Sequence, residues 1–239
     1  MKIVFIADAH LKGLDDPNQK KFVDFLDSLC GADKLVVLGD LFDFWTGYNR
    51  VVEMNYRPAL EALLRLKRRG VDIVYIEGNH DFSMGSFFTD TLKALVCPDS
   101  HILELNGKRY YLSHGDTIGM TFGYRLWRGF LRSPLFGVTA RLVTPRGVWK
   151  AALYLSNRSR DRHNRGSSRY NATENSIREF AAKKLSEGVD GVITGHSHSP
   201  GVHNLKGGVY ANPGSLIDGE YLVWEDGAFK VERGGGQNR

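Results

Sequence analysis

The sequence of 239 residues is poor in cysteine and has no long apolar run. Its two cysteines, Cys30 and Cys97, fit no metal-binding spacing, so we expect reduced packing residues rather than a disulfide framework. No segment approaches the ~20 consecutive apolar residues of a membrane-spanning helix, and no signal-peptide cleavage site follows the N-terminal apolar stretch. We therefore expect a cytoplasmic protein that contacts a membrane at most at its surface.

The composition is ordinary, but the positive charge is concentrated in one segment. The chain is 42% hydrophobic and 25% charged, which is typical of a globular protein with one sizeable core. Residues 119–170 contain eleven Lys or Arg residues and one acidic residue, Asp161, which leaves 21 basic and 26 acidic residues elsewhere. The excess positive charge of the chain, +5 in total, therefore comes entirely from residues 119–170.

Five apolar runs of the strand type end in Asp, Asn or His. The endings are Asp8-Ala9-His10, Gly39-Asp40, Gly78-Asn79-His80-Asp81, His114-Gly115-Asp116 and Gly195-His196-Ser197-His198. In the first of them, the carboxylate and the imidazole are two residues apart and point the same way, because side chains alternate along a strand. Ligands of an open α/β sheet gather beyond the carboxyl ends of its strands. We therefore expect the five endings to converge on one site.

The side chains at these endings have the chemistry of a dinuclear metal centre. The predicted ligands are Asp8, His10, Asp40, Asn79, His114, His196 and His198. Three oxygen donors and four imidazoles suit Mn, Fe, Co or Zn better than Mg or Ca, and we expect Mn²⁺ first. Seven ligands are too many for one tetrahedral ion but match two ions that share a carboxylate. Two ions ~3.5–4 Å apart can clamp the attacking and leaving oxygens of a phosphoryl displacement.

Taken one at a time, these elements have simpler explanations. A Gly-Asp pair after a strand is usually a turn, and a single histidine is more often a core or surface residue than a ligand. Their joint occurrence favours the metal centre, since five of the eight histidines lie at strand ends. The three histidines outside the pattern are His101, His163 and His203.

The five motifs resemble the complete motif series of the calcineurin-like metallophosphoesterases. The resemblance implies that Asp8, His10, Asp40 and His198 hold one metal ion, and that Asp40, Asn79, His114 and His196 hold the other. It also implies that Asp40 bridges the two ions. His80 would protonate the leaving group or stabilise the transition-state oxygens, and Asp81 would orient His80. The implied fold is α/β, with two packed mixed β-sheets flanked by helices.

Residues 119–170 are predicted to form a helical lid inserted into this core. They interleave apolar side chains with arginines and are interrupted by Pro134 and Pro145, which indicates two or three short amphipathic helices. The predicted core comprises residues 1–118 and 171–233, followed by a flexible tail at 234–239. Within the core we predict helices at Pro17–Leu29, Pro58–Arg69, Ser86–Leu95 and Ala172–Glu187, and a hairpin that turns at Asn106-Gly107.

The stretch from Asp40 to Trp45, the insertion and His203 are similar to the UDP-2,3-diacylglucosamine diphosphatases of lipid A synthesis. The similarity implies a glycolipid or nucleotide-diphosphate substrate, cleaved to a lipid monophosphate and UMP, with its acyl chains under the lid. Lid arginines can bind a diphosphate through bidentate hydrogen bonds, and a basic, apolar lid can contact an anionic membrane surface. The implied substrate contacts are Asn79, His80, Tyr124, Trp127, Phe130, Asn157, Arg158, Arg160, Arg162 and Arg165. The lid aromatics can equally well pack the lid onto the core, and no nucleic-acid-binding motif is evident.

Two features differ from that subgroup. His80 stands where the subgroup carries Arg, and the segment Ala211-Asn212-Pro213-Gly214-Ser215 is more typical of small phosphodiesterases. A second hypothesis is therefore a soluble phosphodiesterase or phosphatase that acts on nucleotides or small phosphoesters. A third, a binding module without catalysis, is disfavoured by the complete ligand set.

Overall fold

The computed structural model describes residues 1–47, 50–120, 122–133 and 168–234. The strands in these ranges are β1 (Lys2–Ile6), β2 (Lys34–Leu38), β3 (Trp45–Thr46), β4 (Asp72–Ile76), β5 (Asp81–Phe82), β6 (Leu95–Cys97), β7 (Ser100–Leu105), β8 (Lys108–Ser113), β9 (Gly191–Thr194), β10 (Gly201–Leu205), β11 (Gly208–Asn212), β12 (Glu220–Glu225) and β13 (Ala228–Arg233). The α-helices are α1 (Pro17–Ser28), α2 (Arg50–Asn55), α3 (Arg57–Arg68), α4 (Phe122–Leu131) and α5 (Ser168–Ser186). A π-helical turn spans Phe87–Thr91 and a 3₁₀ turn spans Leu216–Asp218.

The strands form two larger mixed sheets and one short pair. The first sheet has the order β13-β12-β1-β2-β4-β6, in which β1, β2, β4 and β6 are parallel to one another and β12 is antiparallel to β1. The second has the order β10-β11-β9-β8-β7, with β8, β9 and β11 parallel at its centre. Strands β3 and β5 pair separately. Two mixed sheets confirm the predicted fold class.

Both faces of the parallel strands β1, β2 and β4 are buried, which explains why these strands are mainly apolar. In β1, Val4 and Ile6 pack in one cluster with residues of α1 and α3, whereas Ile3 and Phe5 pack in a second cluster with residues of the other sheet. On the far face of the second sheet, a third cluster joins β9 and β11 to Ile177 and Ala181 of α5. The layers therefore run helix, sheet, sheet, helix.

Most predicted elements are confirmed, and one helix is wrong. The hairpin between β7 and β8 turns at Asn106 and Gly107, whose φ angles of 51° and 75° are those of a type I′ turn. The predicted helix Ser86–Leu95 is instead the π-helical turn followed by β6. Leu95 pairs with Val74 of β4, because residues 95–97 add a parallel strand to the first sheet. This pairing prevails over the helical pattern of the local sequence.

Helix α4 lies at the start of the predicted insertion, of which residues 134–167 fall outside the described ranges. The domain boundaries and the helical content of 134–167 therefore stay predictions, as does the flexible tail beyond Gly234. Helix α5 begins at Ser168, two residues before the predicted end of the insertion. Among the described residues, no helix is both long and apolar enough to cross a bilayer.

Candidate metal centre

The five predicted strand endings meet at one edge of the paired sheets. Strands β1, β2 and β4 are parallel neighbours in the first sheet, and β8 and β9 are parallel neighbours in the second. Within each sheet the carboxyl ends therefore lie on one side, and the contacts of His114 with Asp40 and of His198 with Asp8 bring the two edges together. Each of these ends is followed by predicted ligands. These are Asp8 and His10 after β1, Asp40 after β2, Asn79 after β4, His114 after β8, and His196 and His198 after β9.

One group of side chains is arranged around Asp8. Its Oδ1 atom lies 3.3 Å from Nε2 of His198 and 3.8 Å from Nε2 of His10. The ligand atoms of these three residues lie within 4.8 Å of one another, as a shared cation requires. The Oδ1 atom of Asp8 is buried and has no hydrogen-bond partner in the described structure, which costs free energy unless a cation is present.

A second group is arranged around Asp40. The Oδ2 atom of Asp40 lies 3.4 Å from Nε2 of His114 and 4.0 Å from Nε2 of His10. Asp40, His114 and His196 again have ligand atoms within 4.8 Å of one another. Because Asp40 lies between His10 of one group and His114 of the other, its position suits a carboxylate that bridges two ions.

The hydrogen bonds of His114 fix which nitrogen faces the centre. Its Nδ1 atom lies 2.7 Å from the carbonyl oxygen of Leu38, so Nδ1 carries the proton that it donates to that carbonyl. Its Nε2 atom then faces two oxygens, Oδ1 of Asn79 at 3.1 Å and Oδ2 of Asp40. A backbone carbonyl that orients an imidazole in this way is the usual arrangement behind a metal-binding histidine. The donor set therefore fits divalent cations.

Burial and neighbouring charges set the protonation of His10, His196 and Asp8. It lowers the pKa of His10 to about 3, against the opposing effect of Asp40, and it lowers the pKa of His196 to about 4, an effect that His114 reinforces. Both imidazoles are therefore neutral near pH 7 and offer a lone pair. Burial alone would raise the pKa of Asp8, but His198 holds it at about 2, so Asp8 is an anion.

Five of the seven predicted ligands have a left-handed backbone. Their φ angles are 54° at Asp8, 43° at His10, 53° at Asp40, 66° at His196 and 51° at His198. L-residues rarely adopt this conformation, which costs on the order of 1–3 kcal/mol at each position and accumulates at functional sites. The turns after the strands are therefore held in place by the surrounding structure, and not by the preferences of the residues themselves.

Asp81 contacts the backbone of the metal-binding loops, and the prediction that it orients the His80 ring needs correction. Its carboxylate accepts hydrogen bonds from the amides of Asp40 (3.0 Å), Leu41 (2.7 Å), Phe42 (3.3 Å) and Gly78 (2.9 Å), and from the Tyr75 hydroxyl (2.5 Å). Burial and then the nearby Asp40 raise the pKa of Asp81 to about 7, whereas these donors favour its anion. Asp81 thus shapes the turn that carries Asp40.

His80 is oriented by a carbonyl group instead. Its Nδ1 atom lies 2.9 Å from the carbonyl oxygen of Asp43, and its Nε2 atom lies 4.0 Å from Oδ2 of Asp40. The ring meets that of His10 edge-on, at 5.0 Å between centroids. The His80 side chain is 14% exposed, against 3% for Asp40, so the ring borders the metal centre where solvent can reach it.

The predicted substrate contacts are described only in part. The Tyr124 hydroxyl donates to Oδ2 of Asp116 at 2.9 Å, and Phe130 is exposed on α4. For Trp127 only the backbone, within α4, is described. Asn157, Arg158, Arg160, Arg162 and Arg165 lie outside the described residues.

Arg128 of α4 and Arg132, the residue directly after α4, contact the loops that carry the strand-end motifs. From the sequence we predict no specific contact for either arginine. Arg128 donates to Asp116 at 3.2 Å, and Arg132 pairs with Glu77 at 3.1 Å and donates to the Gly78 carbonyl at 3.2 Å. Tyr124 and Arg128 are spaced by four residues and so share one face of α4, and Arg132 continues the same spacing just past the end of the helix. That spacing is the signal in the sequence that could have identified them.

Comparisons with known proteins agree with this geometry. The model of the calcineurin-like phosphoesterase family matches residues 1–200. The chain is 31% identical over 208 residues to a UDP-2,3-diacylglucosamine hydrolase of Yersinia pseudotuberculosis serotype O:1b (strain IP 31758), which covers 86% of this chain and 85% of that protein. A hydrolase of the same name from Yersinia pestis gives the same identity and coverage.

Among solved structures, an archaeal phosphodiesterase has a TM-score of 0.52 and 15% identity, covering 98% of this chain and 99% of that one, which supports the fold alone. The family match extends over every predicted metal ligand, from Asp8 to His198. The chain therefore belongs to the calcineurin-like phosphoesterase family and is a metal-dependent hydrolase of phosphoester or diphosphate bonds.

Proposed function

We propose that the chain hydrolyses UDP-2,3-diacylglucosamine, adding water across the diphosphate to release UMP and 2,3-diacylglucosamine 1-phosphate. The observation that carries the proposal is the 31% identity, over most of both chains, to proteins named for that substrate. We further propose that Mn²⁺ occupies the centre and that the chain works at the cytoplasmic face of the inner membrane.

Helix α4 supports a lipid substrate. Phe122, Leu126 and Phe130 follow one another at four-residue spacing and are 73%, 60% and 41% exposed. The opposite face of the helix bears Arg128, which contacts Asp116, and Arg132 directly after the helix contacts the Gly78 carbonyl. An apolar surface beside a phosphoesterase centre suits a substrate with acyl chains better than a free nucleotide.

The proposed roles follow from the described geometry. When bound, the two cations lower the pKa of water and neutralise charge on the phosphoryl group. Asp8, His10, Asp40 and His198 would hold one cation, and Asp40, Asn79, His114 and His196 the other. With Nδ1 donating to the Asp43 carbonyl, the His80 ring presents Nε2 to the site. As an imidazolium, with a proton on both nitrogens, the ring can donate from Nε2 a proton to the leaving group or a hydrogen bond to a phosphoryl oxygen. Arg158, Arg160, Arg162 and Arg165 would bind the diphosphate.

The competing candidate is a phosphodiesterase or phosphatase for soluble nucleotides. It is favoured by His80, which differs from the Arg of the lipid A subgroup, and by the segment Asn212-Pro213-Gly214-Ser215. This candidate needs the metal centre but does not need the apolar face of α4.

An assay on two substrates separates the candidates. UMP release from UDP-2,3-diacylglucosamine in mixed micelles is compared with hydrolysis of bis(p-nitrophenyl) phosphate, for the wild type and for the double variant Phe122→Ser and Leu126→Ser. We expect kcat/KM on the diacyl substrate to fall by roughly 10–100-fold, since two apolar contacts are lost, with the aryl diester unaffected.

The matched control is Leu95→Ser, an exposed leucine on the edge strand β6. It should change neither activity. Equal activity of wild type and double variant on both substrates, or absence of UMP release by the wild type, would overturn the lipid proposal.

A further inference from the structure

The segment Asn212-Pro213-Gly214-Ser215 lies between the two loops that carry Asp8, His196 and His198. Strand β11 ends at Asn212. The strand pairs parallel to β9 on one side and antiparallel to β10 on the other. Asn212 and Ser215 are 0% and 2% exposed, so their polar groups must find partners inside the protein. Those partners belong to the metal-binding loops.

Ser215 holds the backbone of Asp8. Its hydroxyl donates to the Asp8 carbonyl at 2.9 Å, and the next amide, that of Leu216, donates to the Ala7 carbonyl at 3.1 Å. Asp8 has a φ of 54°, so its carbonyl is turned away from the direction that a continuing strand would give it. The strained turn takes the Asp8 carbonyl out of the strand-to-strand hydrogen bonding of the sheet. The Ser215 hydroxyl supplies the hydrogen bond that this carbonyl would otherwise lack.

Two further hydrogen bonds hold the amide and the carboxylate of Asp8 in place. Its amide donates to the Gly39 carbonyl at 3.2 Å, and its Oδ2 atom accepts from the amide of His196 at 2.9 Å. These bonds leave Oδ1 directed at His198 and His10. Three separate segments thus meet at Asp8. Within the described structure, Ser215 is the only residue among them whose side chain hydrogen-bonds to the Asp8 backbone.

Asn212 acts on the other loop. Its Nδ2 atom donates to the Gly195 carbonyl at 3.1 Å and to the Ser197 hydroxyl at 3.0 Å, and its Oδ1 atom accepts from the Gly214 amide at 2.8 Å. The Ser197 hydroxyl in turn donates to Glu174 of α5 at 2.8 Å. Gly195 and Ser197 flank His196, and Ser197 also precedes His198, so Asn212 holds the turn in which both histidines have a left-handed backbone.

We infer that Asn212 and Ser215 are positioning residues of the metal centre, which hold the Asp8 carbonyl and the Gly195–Ser197 turn so that Asp8, His196 and His198 point at one cation site. The inference rests on the proposed metal centre and goes beyond it by naming the residues that preorganise the ligands. Partners behind metal ligands affect metal affinity typically by 10–100-fold when they are replaced.

The test is Mn²⁺ titration by calorimetry of the metal-stripped full-length protein, together with its Tm without metal. The variant Ser215→Ala deletes one oxygen atom, and we expect its Kd for Mn²⁺ to rise by roughly 10-fold or more, while turnover recovers at saturating Mn²⁺. Asn212→Asp, which replaces the Nδ2 donor by an oxygen facing the Gly195 carbonyl, should weaken binding further.

The matched control is Ser113→Ala. Ser113 is 3% exposed, lies at the end of β8, and its hydroxyl has no hydrogen-bond partner among the described residues. Its Mn²⁺ affinity should equal that of the wild type. If Ser215→Ala binds Mn²⁺ within twofold of the wild type, or lowers only the metal-free Tm, the positioning role is wrong. If the wild type itself binds no Mn²⁺, it is the proposed metal centre that fails.

Discussion

The metal-binding loops and helix α4 border the same site but are built in opposite ways. The loops are buried, strained and hydrogen-bonded to several segments at once, as at Asp8 and Asp40. Helix α4 touches the core through one polar face and leaves Phe122 and Leu126 largely exposed. Groups that must hold cations with sub-ångström accuracy need rigid support, whereas a surface that receives a flexible substrate does not.

We therefore expect chemistry and substrate choice to be separable in this molecule. Changes in the loops should remove metal or turnover for every substrate. Changes on α4 should alter stability or substrate preference while the metal centre remains.

The largest effect is expected for Asp40→Ala. Asp40 lies between the two groups of ligands, so its loss should remove bound metal and nearly all activity on any phosphoester. Metal content by plasma mass spectrometry and hydrolysis of an aryl phosphodiester measure both. Asp90→Ala, which removes the same charge from an exposed position, is the control. A metal-loaded and fully active Asp40→Ala protein would refute the assignment.

His80→Ala should keep its metal and lose turnover. His80 lies beside the centre with Nε2 4.0 Å from Asp40, so its removal takes away a proton or hydrogen-bond donor and leaves the ligand set intact. We expect kcat to fall by roughly 10²–10⁴-fold, the range for a lost general acid. His101→Ala, in strand β7, should be unaffected. Loss of metal from His80→Ala would assign it to the ligands instead.

Arg132→Ala tests the contact between the core and the C-terminal end of α4, which Arg132 directly follows. The arginine is 17% exposed and pairs with Glu77, which is 6% exposed, so its loss leaves a buried carboxylate without its ion pair. Burial already raises the pKa of Glu77, an effect that Arg132 opposes. We expect the free energy of unfolding, from urea denaturation, to fall by on the order of 3 kcal/mol.

The control for Arg132→Ala is Arg57→Ala, whose pair with Glu61 lies on the surface, with side chains 76% and 50% exposed. It should change stability little, because water screens such pairs. Equal stability of the two variants would show that α4 is not held to the core through Arg132.

The smallest effect is expected for Tyr124→Phe. Its hydroxyl donates to Asp116, which Arg128 also contacts. Loss of this one hydrogen bond should lower the free energy of unfolding by about 1 kcal/mol, with kcat on the aryl diester unchanged. If Tyr124 instead contacts the substrate, as the sequence predicts, KM for the diacyl substrate should rise with little change in stability.

The sequence predicts the ligand set because each ligand directly follows an apolar run, and parallel strands bring such positions together. It does not predict the left-handed backbone of Asp8 or His198, since that conformation depends on bonds from distant segments such as Ser215. The same holds for Asp81, which lies beside His80 in sequence but hydrogen-bonds to the loop after β2. The helix predicted at Ser86–Leu95 is wrong because the end of this segment pairs with β4, a long-range contact that the local pattern does not reveal.

The most direct test of the dinuclear metal centre is anomalous diffraction from crystals grown with Mn²⁺. We expect two manganese peaks ~3.5–4 Å apart, one beside Asp8, His10 and His198 and the other beside Asn79, His114 and His196, with Asp40 touching both. A single peak, peaks elsewhere, or no peak among these seven side chains would contradict it.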